Sequence, residues 1–267
     1  MIRSIAALIV MWLGIASAEA ADVSPQVLHD LAPSGRLRAA INFGNPVLAQ
    51  KDGAGGESRG VSAELARELG RRLGVPVAFV TFEGAGQVFE AVKAEVWDVA
   101  FLAIDPVRTA GIDFTAPYVV IEGTYVVPTG SPLQRIEDID RDGIRIAAGL
   151  GSVYDLYLTR SLQHAKLVHA PTSPAALELF LTDKLEAAAG VKQPLVKFAA
   201  ARPEFRVIPG RFMAIEQAMA TPRGRDAGAR YLRDFVEAMK ASGFVAKALA
   251  ASGQSDATVA PAMVPGK

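Results

Sequence analysis

Two rounds of the same alternation run through this chain. From Arg36 onward, segments of strand length alternate with segments of helical periodicity, and Pro128-Thr129-Gly130-Ser131-Pro132 separates the rounds. Such alternation predicts an α/β fold. In the first round, Arg36 to Phe43 reads as a strand. Val61 to Leu73 reads as an amphipathic helix with Leu65, Leu69 and Leu73 at four-residue spacing. Gly60 or Ser62 is placed to cap it and Gly74 to end it. A strand over Val75 to Phe82, a helix over Gln87 to Val96 and a strand over Asp98 to Ile104 follow. Tyr118 to Val127 is a β-branched run broken at Glu122-Gly123.

The second round repeats the pattern. Strands are expected over Ile144 to Ala148, Lys166 to Ala170, Glu186 to Val191 and Phe205 to Pro209. Helices are expected over Tyr154 to Leu162, from Ser173 as N-cap with Pro174 behind it, and over Gln193 to Ala201. Pro209-Gly210 reads as a second crossing point. Ala227 to Met239 then forms a long helix with Tyr231, Leu232, Phe235 and Met239 along one stripe. The expected architecture is therefore two α/β lobes joined by two strands.

The first twenty residues read as a cleaved signal peptide. Arg3 supplies the positive end, Ile5 to Ile15 the apolar stretch, and Ala18-Glu19-Ala20 the small-residue cleavage pattern. Export to a bacterial periplasm is expected. With no cysteine in the chain, neither disulfides nor a lipidated N-terminal cysteine are expected, and the mature protein should diffuse freely. The 28 basic and 28 acidic residues balance, which leaves no electrostatic footprint for nucleic acid. Apolar residues make up 51% of the chain, enough for a substantial core in the residues that remain after cleavage.

One segment carries most of the chemical information. Asp98 to Ile104 is a near-continuous apolar run that ends at the turn signal Asp105-Pro106, and Arg108 follows. A guanidinium just past the end of a buried strand sits where α/β sheets bind ligands. It presents a planar fork of donors suited to a carboxylate. Gly151-Ser152-Val153 is the second candidate. It follows a strand and opens a helix, where backbone N–H groups and the Ser152 hydroxyl favour an anion. Other chemistry is thin. Three histidines without cysteine predict no metal site, the Gly84-Ala85-Gly86 and Gly149-Leu150-Gly151 pairs are too short for a dinucleotide fingerprint, and no nucleophile elbow is present. No cofactor and no catalytic residue are expected.

The stretch from Asp98 to Tyr118, with Arg108, Ile112-Asp113-Phe114-Thr115 and Ala116-Pro117-Tyr118, resembles the family 3 periplasmic solute-binding proteins of ABC importers. Gly60-Val61-Ser62-Ala63-Glu64-Leu65-Ala66, Trp97-Asp98, Ile146 to Ser152 and Leu185-Glu186-Ala187 extend the resemblance over nearly all of the mature chain. It implies a two-lobed, type II-like fold closing on a ligand like a flytrap. Lobe 1 would be residues 21–128 plus 211–252, lobe 2 residues 129–210, and residues 253–267 a C-terminal tail. It further implies a monomeric protein that captures an amino acid or related small carboxylate and passes it to an inner-membrane ABC permease.

In the family the arginine holds the ligand carboxylate and the Ser152-Val153 loop meets it from the other lobe. By the same resemblance, Phe43 and Asn45 at the end of the first strand and Phe101 and Ala103 in the third would line the site. Phe43 is alternatively a core residue. Backbone groups near Ala103 would take a ligand amine. Two departures stand out. The strand before Arg108 carries no serine, so an apolar pocket is expected. The aspartate that the family commonly places after Leu185-Glu186-Ala187 is missing, and the chain reads Ala188-Ala189-Gly190-Val191-Lys192-Gln193. Either Glu122 or Glu216 supplies the counter-charge for an α-ammonium, or the ligand has none, with Gln193 offering a neutral amide. An alternative reading is a cyclohexadienyl or prephenate dehydratase-like enzyme on the same scaffold, which would need a carboxylic acid in the cleft.

Overall fold

A computed structural model describes residues 23–53 and 56–263. The expected signal peptide at 1–20 lies outside the described residues. The chain opens with helix α1 (Pro25–Leu31), strand β1 (Leu37–Asn42) and a small hairpin, β2 (Gln50–Asp52) with β3 (Glu57–Arg59). Helix α2 (Val61–Leu73), β4 (Val77–Phe82), α3 (Ala85–Glu90) and β5 (Val99–Ala103) complete the first round. A 17-residue strand, β6 (Ile112–Pro128), leads into the second. That round comprises β7 (Arg145–Gly149), α4 (Val153–Ser161), β8 (Lys166–Ala170), α5 (Ser173–Thr182), β9 (Ala187–Val191), α6 (Lys192–Ala200) and β10 (Phe205–Val207). The chain returns through β11 (Met213–Pro222) and ends in α7 (Asp226–Ala241), α8 (Phe244–Ala251) and β12 (Thr258–Val259).

The main sheet runs in the order β4-β1-β5-β11-β6-β9-β7-β8, with β10 and β12 also paired to β6. β1, β4 and β5 are parallel to one another at one end, and β7, β8 and β9 at the other. β11 and β6 join the two groups as antiparallel neighbours. The fold is α/β and two-lobed.

The helices form where the sequence pattern places them, for local reasons. In α2, Leu65 and Leu69 are fully buried and Leu73 nearly so. Gly60 stands before it at φ 101°, and Gly74 closes it in the left-handed region. A Cβ on Gly60 would also lie 2.5 Å from the Leu48 carbonyl oxygen. Leu232, Phe235 and Met239 of α7 are buried. The Asp30 carboxylate of α1 accepts from the Gly228 N–H at 2.9 Å and ties α7 down. At the base of β5, the fully buried Asp98 holds Arg38 through both carboxylate oxygens, at 3.0 and 2.7 Å, and accepts from Arg225 at 2.9 Å. This fixes the strand that ends at the Arg108 turn.

The structure departs from the sequence pattern in four places. The expected helix over 87–96 is α3 followed by a 3-10 turn over Ala91–Ala94. Glu95 ends it at φ 51°, and the Trp97 indole N–H, donating to the Val88 carbonyl, folds the chain back. Glu122-Gly123 does not interrupt its strand. β6 runs straight through and changes partners there, pairing with β11 up to Gly123 and with β9 from Gly123 on. The change falls five residues before the Pro128–Thr129 boundary expected from the Pro/Gly-rich run. Gly123 is needed for packing, since a Cβ would meet Met213 and Phe212 side chains at 2.9 and 3.0 Å. The cap of α5 is Thr172, one residue ahead of Ser173, because its hydroxyl accepts from the Ala175 N–H. The expected C-terminal tail carries a short strand within residues 253–263. Thr258 and Val259 pair with Val120 and Val119, and Ala257 and Ala260 are buried.

Two outcomes are expected. Gly60→Ala forces a side chain into a backbone region open essentially to glycine and against a carbonyl, costing on the order of 1–3 kcal/mol, readable by urea unfolding. Glu68, held by hydrogen bonds from Arg71 and Arg72, has its carboxyl lowered from 4.5 to about 2. Its folded-state value is depressed, so its contribution is complete above about pH 4.5 and fades as pH falls toward 2. The stability gap between the wild type and Glu68→Gln, measured by thermal unfolding, should shrink from pH 7 to pH 3.

Candidate functional site

The carboxyl ends of β1, β5, β7 and β9 converge on one cavity of about 150 Å³ between the lobes. This is where ligands enter open α/β sheets. Lobe 1 lines it with Asn42 and Asn45 after β1, Phe101 and Ala103 of β5, Arg108, and Ile215 and Gln217 of β11. Lobe 2 supplies Ser152 and Val153 at the start of α4, Tyr154, Ser173, and Ala189 to Val191 of β9 with Leu195 behind it.

Arg108 dominates the site. The turn aims it there: the Asp105 side chain accepts from Val107 N–H at 2.9 Å, and the Asp105 carbonyl accepts from Arg108 N–H at 3.0 Å. The side chain is 1% exposed. Nη1 donates to the Ala103 carbonyl at 2.7 Å and Nη2 to the Gly151 carbonyl at 2.8 Å. Nε is buried without a partner among the described residues. No carboxylate among the described residues pairs with it. Burial pushes the guanidinium down to about 10, with nearby Asp105 opposing the shift, so it is charged at neutral pH. A buried cation without a counter-ion is costly unless a ligand supplies the charge.

The Asp105 carboxylate is engaged across the cleft instead. Arg160 of α4 donates to both its oxygens, at 2.8 and 3.3 Å. Arg108 to Gly151 and Asp105 to Arg160 are thus two polar links between the lobes. A third contact is backbone on backbone, because a Cβ on Gly151 would stand 2.7 Å from Gly86 Cα. The lobes are closed over the cavity.

The start of α4 is less open to an anion than its position suggests. Ser152 caps the helix, its hydroxyl accepting from Asp155 N–H, and its own N–H goes to the Gly149 carbonyl. The Asp155 carboxylate takes the Gly151 N–H at 2.8 Å and bonds His169 at 2.7 Å. The helix start therefore carries a carboxylate of its own. The Tyr154 hydroxyl donates to Ser173 Oγ at 2.6 Å, and burial raises its pKa.

Of the residues expected from sequence, Arg108, Ser152, Val153, Asn45, Ala103 and Phe101 meet at the cavity. Phe43 does not. It packs against the core, with Lys51 Nζ 4.9 Å from its ring centre, because the Asn42-to-Gly44 turn swings its side chain away. Gln193 lies in a separate concavity with Glu122, Lys192 and Arg211, since it follows β9 into the first turn of α6. The Ala103 carbonyl, expected to meet a ligand amine, is taken by Arg108. Glu122 pairs with Lys192 at 2.7 Å and Arg211 at 3.1 Å, which hold its carboxyl below the usual range. Glu216 is exposed. Neither lines the cavity. Asn42, Tyr154, Ser173 and Gln217 line it without having been singled out. Asn42 had a readable signal, lying next to the end of the strand expected over Arg36 to Phe43. The other three are brought in by packing.

Two parallel sheet halves closing on a buried, cationic cavity define a two-lobed solute-binding protein. The chain belongs to the bacterial extracellular solute-binding proteins, family 3, whose model matches residues 37–251. Solved structures agree on the fold. A mutant of ArgBP from T. maritima superposes with a TM-score of 0.73 at 19% identity, covering 85% of this chain and 99% of that one. The solute receptor for L-cysteine of Neisseria gonorrhoeae gives 0.73 at 23% identity, covering 82% and 90%. The ancestral amino acid-binding protein AncCDT-1, a precursor of cyclohexadienyl dehydratase, gives 0.71 at 21% identity, covering 84% and 97%. No curated protein matches the sequence. No helix among the described residues is long and apolar enough to cross a membrane, and no acidic, histidine or cysteine cluster among them is arranged for a metal ion.

Removing the cross-cleft pair should loosen closure without disturbing either lobe. Arg160 is 43% exposed, so Arg160→Ala is expected to weaken ligand affinity only a few-fold, in line with about 1 kcal/mol or less for a partly exposed pair. Small-angle scattering of the ligand-free variant should show a more open envelope than the wild type.

Proposed function

We propose that this protein is the periplasmic binding component of an ABC importer, that it captures an amino acid or related small carboxylate by lobe closure, and that it hands the solute to an inner-membrane permease. The observation that carries this reading is the Arg108 guanidinium, buried, charged and without a carboxylate partner inside an interlobe cavity. Of its five N–H donors, two are committed to backbone carbonyls. The rest are placed to take a carboxylate, which would supply both the counter-charge and the hydrogen bonds. Ser152 and Val153 face it from the opposite lobe. A ligand bound there touches both lobes and so favours the closed arrangement by its differential affinity.

The family match and the binding-protein neighbours support the same role. A single binding event needs one lobe pair, so we assign the working unit as a monomer, exported by the N-terminal segment. We place lobe 1 at 23–122 with 213–263 and lobe 2 at 123–212, following the change of strand partners in β6. A dehydratase-like role is the less favoured reading. The described residues put no aspartate, glutamate or histidine on the cavity wall, and such chemistry needs an acid there.

Arg108→Met tests the assignment. Each hydrogen bond to a charged group contributes about 1.5–3 kcal/mol. Loss of two should weaken carboxylate binding at least 100-fold by titration calorimetry, with the circular dichroism spectrum unchanged. Undiminished affinity would remove Arg108 from the site. Turnover of prephenate to phenylpyruvate by the wild type would favour the enzyme instead.

A further inference from the structure

The donors and acceptors around Arg108 say more about the ligand than that it carries a carboxylate. We propose that the cavity selects small monocarboxylates with an oxygen, rather than an ammonium, on the carbon next to the carboxylate: 2-oxo and 2-hydroxy acids with a short apolar body. The inference rests on the carboxylate-binding reading above and narrows it.

The charges come first. Arg108 and Tyr154 are the titratable groups on the wall, and no acid is among the lining residues described. The nearby carboxylates are spoken for. Asp105 holds Arg160, Asp155 holds Gly151 N–H and His169, and Glu122 holds Lys192 and Arg211. An α-amino acid would bring its carboxylate to Arg108 and leave its ammonium buried with no counter-charge, beside an existing cation. The desolvation of that second charge would go uncompensated. One guanidinium also balances one carboxylate, which disfavours a dicarboxylate.

The hydrogen-bonding inventory points the same way. Asn42 Oδ1 accepts from Gly44 N–H at 2.9 Å, and Asn45 Oδ1 accepts from Val47 N–H at 3.3 Å. Those bonds fix which way each amide faces. Neither Nδ2 group donates to a partner among the described residues, and Arg108 Nε is buried without one. The two carbonyls nearest the guanidinium, Ala103 and Gly151, already accept from it. Around Arg108, therefore, donors are to spare and the nearest carbonyls are in use, while the Gln217 amide on the wall adds both a donor and an acceptor. A keto or hydroxyl oxygen accepts from such a wall, whereas an ammonium needs acceptors. The rest of the wall is Phe101, Val153, Val191, Leu195 and Ile215. A volume of about 150 Å³ is enough for a benzene-sized body.

The test is calorimetric titration of the mature protein with a matched trio that shares one side chain: leucine, 4-methyl-2-oxopentanoate and 2-hydroxy-4-methylpentanoate. Pyruvate, lactate and phenylpyruvate set the size limits. The oxo or hydroxy acid is expected to bind at least tenfold more tightly than leucine. Asn42→Asp keeps the acceptor for Gly44 N–H but replaces the donor with a negative charge, and it should narrow or reverse that ratio. Leucine or another amino acid binding as tightly as its oxo counterpart, or a ratio that Asn42→Asp leaves unmoved, overturns the proposal. If Arg108→Met still abolishes that amino-acid binding, the carboxylate reading stands without it. If no carboxylate of this size binds, both readings fall together.

Discussion

Strand β6 is the constraint on which the rest of the molecule hangs. Seventeen residues at about 3.3 Å each give a strand of roughly 55 Å, longer than a single lobe needs. Its first part is paired by β11 and β12, and its second by β9 and β10. The partner change at Gly123 is possible because a residue with no Cβ lets Phe212 and Met213 cross against the backbone. Both lobes are therefore built on one continuous strand, with β11 as the return path. Relative motion of the lobes must come from bending these two segments, since no other covalent connection joins them. The segment over 257–260 packs along the same strand, so the end of the described chain stiffens lobe 1 right up to the crossing.

That geometry brings four strand ends together and makes an unusual electrostatic arrangement tolerable. Arg108 is buried with its charge retained, while the carboxylate closest in sequence, Asp105, is turned to Arg160 on the other lobe. Backbone carbonyls from both sides of the cleft satisfy part of the guanidinium but cannot neutralise it. The closed form thus holds a charge that a bound carboxylate would relieve. In the proposed role, stability and binding would be coupled through this one side chain, and the cross-cleft pair would bear on how much closure persists without a ligand.

Much of the fold was legible. Val61 to Leu73 was bounded from sequence to the residue, because a glycine that only positive φ suits stands before it, a second closes it, and its leucines repeat at helical spacing. Glu122-Gly123 interrupts the β-branched composition of the run over Tyr118 to Val127 but not the strand, and only the pairing partners of Gly123, Val191 and Met213, show why the glycine is there. The Pro128 to Pro132 run was read as the lobe boundary by composition, and in the structure it begins at the end of β6, five residues beyond the change of strand partners at Gly123. Among site residues, Arg108 was legible from its place after a buried strand and a turn. Phe43 takes the core position that was its alternative reading, and Gln193 lies off this cavity, because one position of turn geometry, which periodicity does not report, decides which way a side chain faces.

The sequence by itself determined the α/β alternation, most element bounds and the arginine, since periodicity, turn residues and a lone charge behind an apolar run are local signals. The tertiary structure alone decided that Arg108 has no counter-ion. That fact depends on Asp105 meeting Arg160, 55 positions on, and on Glu122 being held by Lys192 and Arg211. It also decided that the Asn42 and Asn45 side-chain oxygens are used by backbone N–H groups in the turn, which leaves their Nδ2 groups as the free donors. Charge compensation and donor direction are properties of neighbours in space, and the proposed preference of the cavity rests on them.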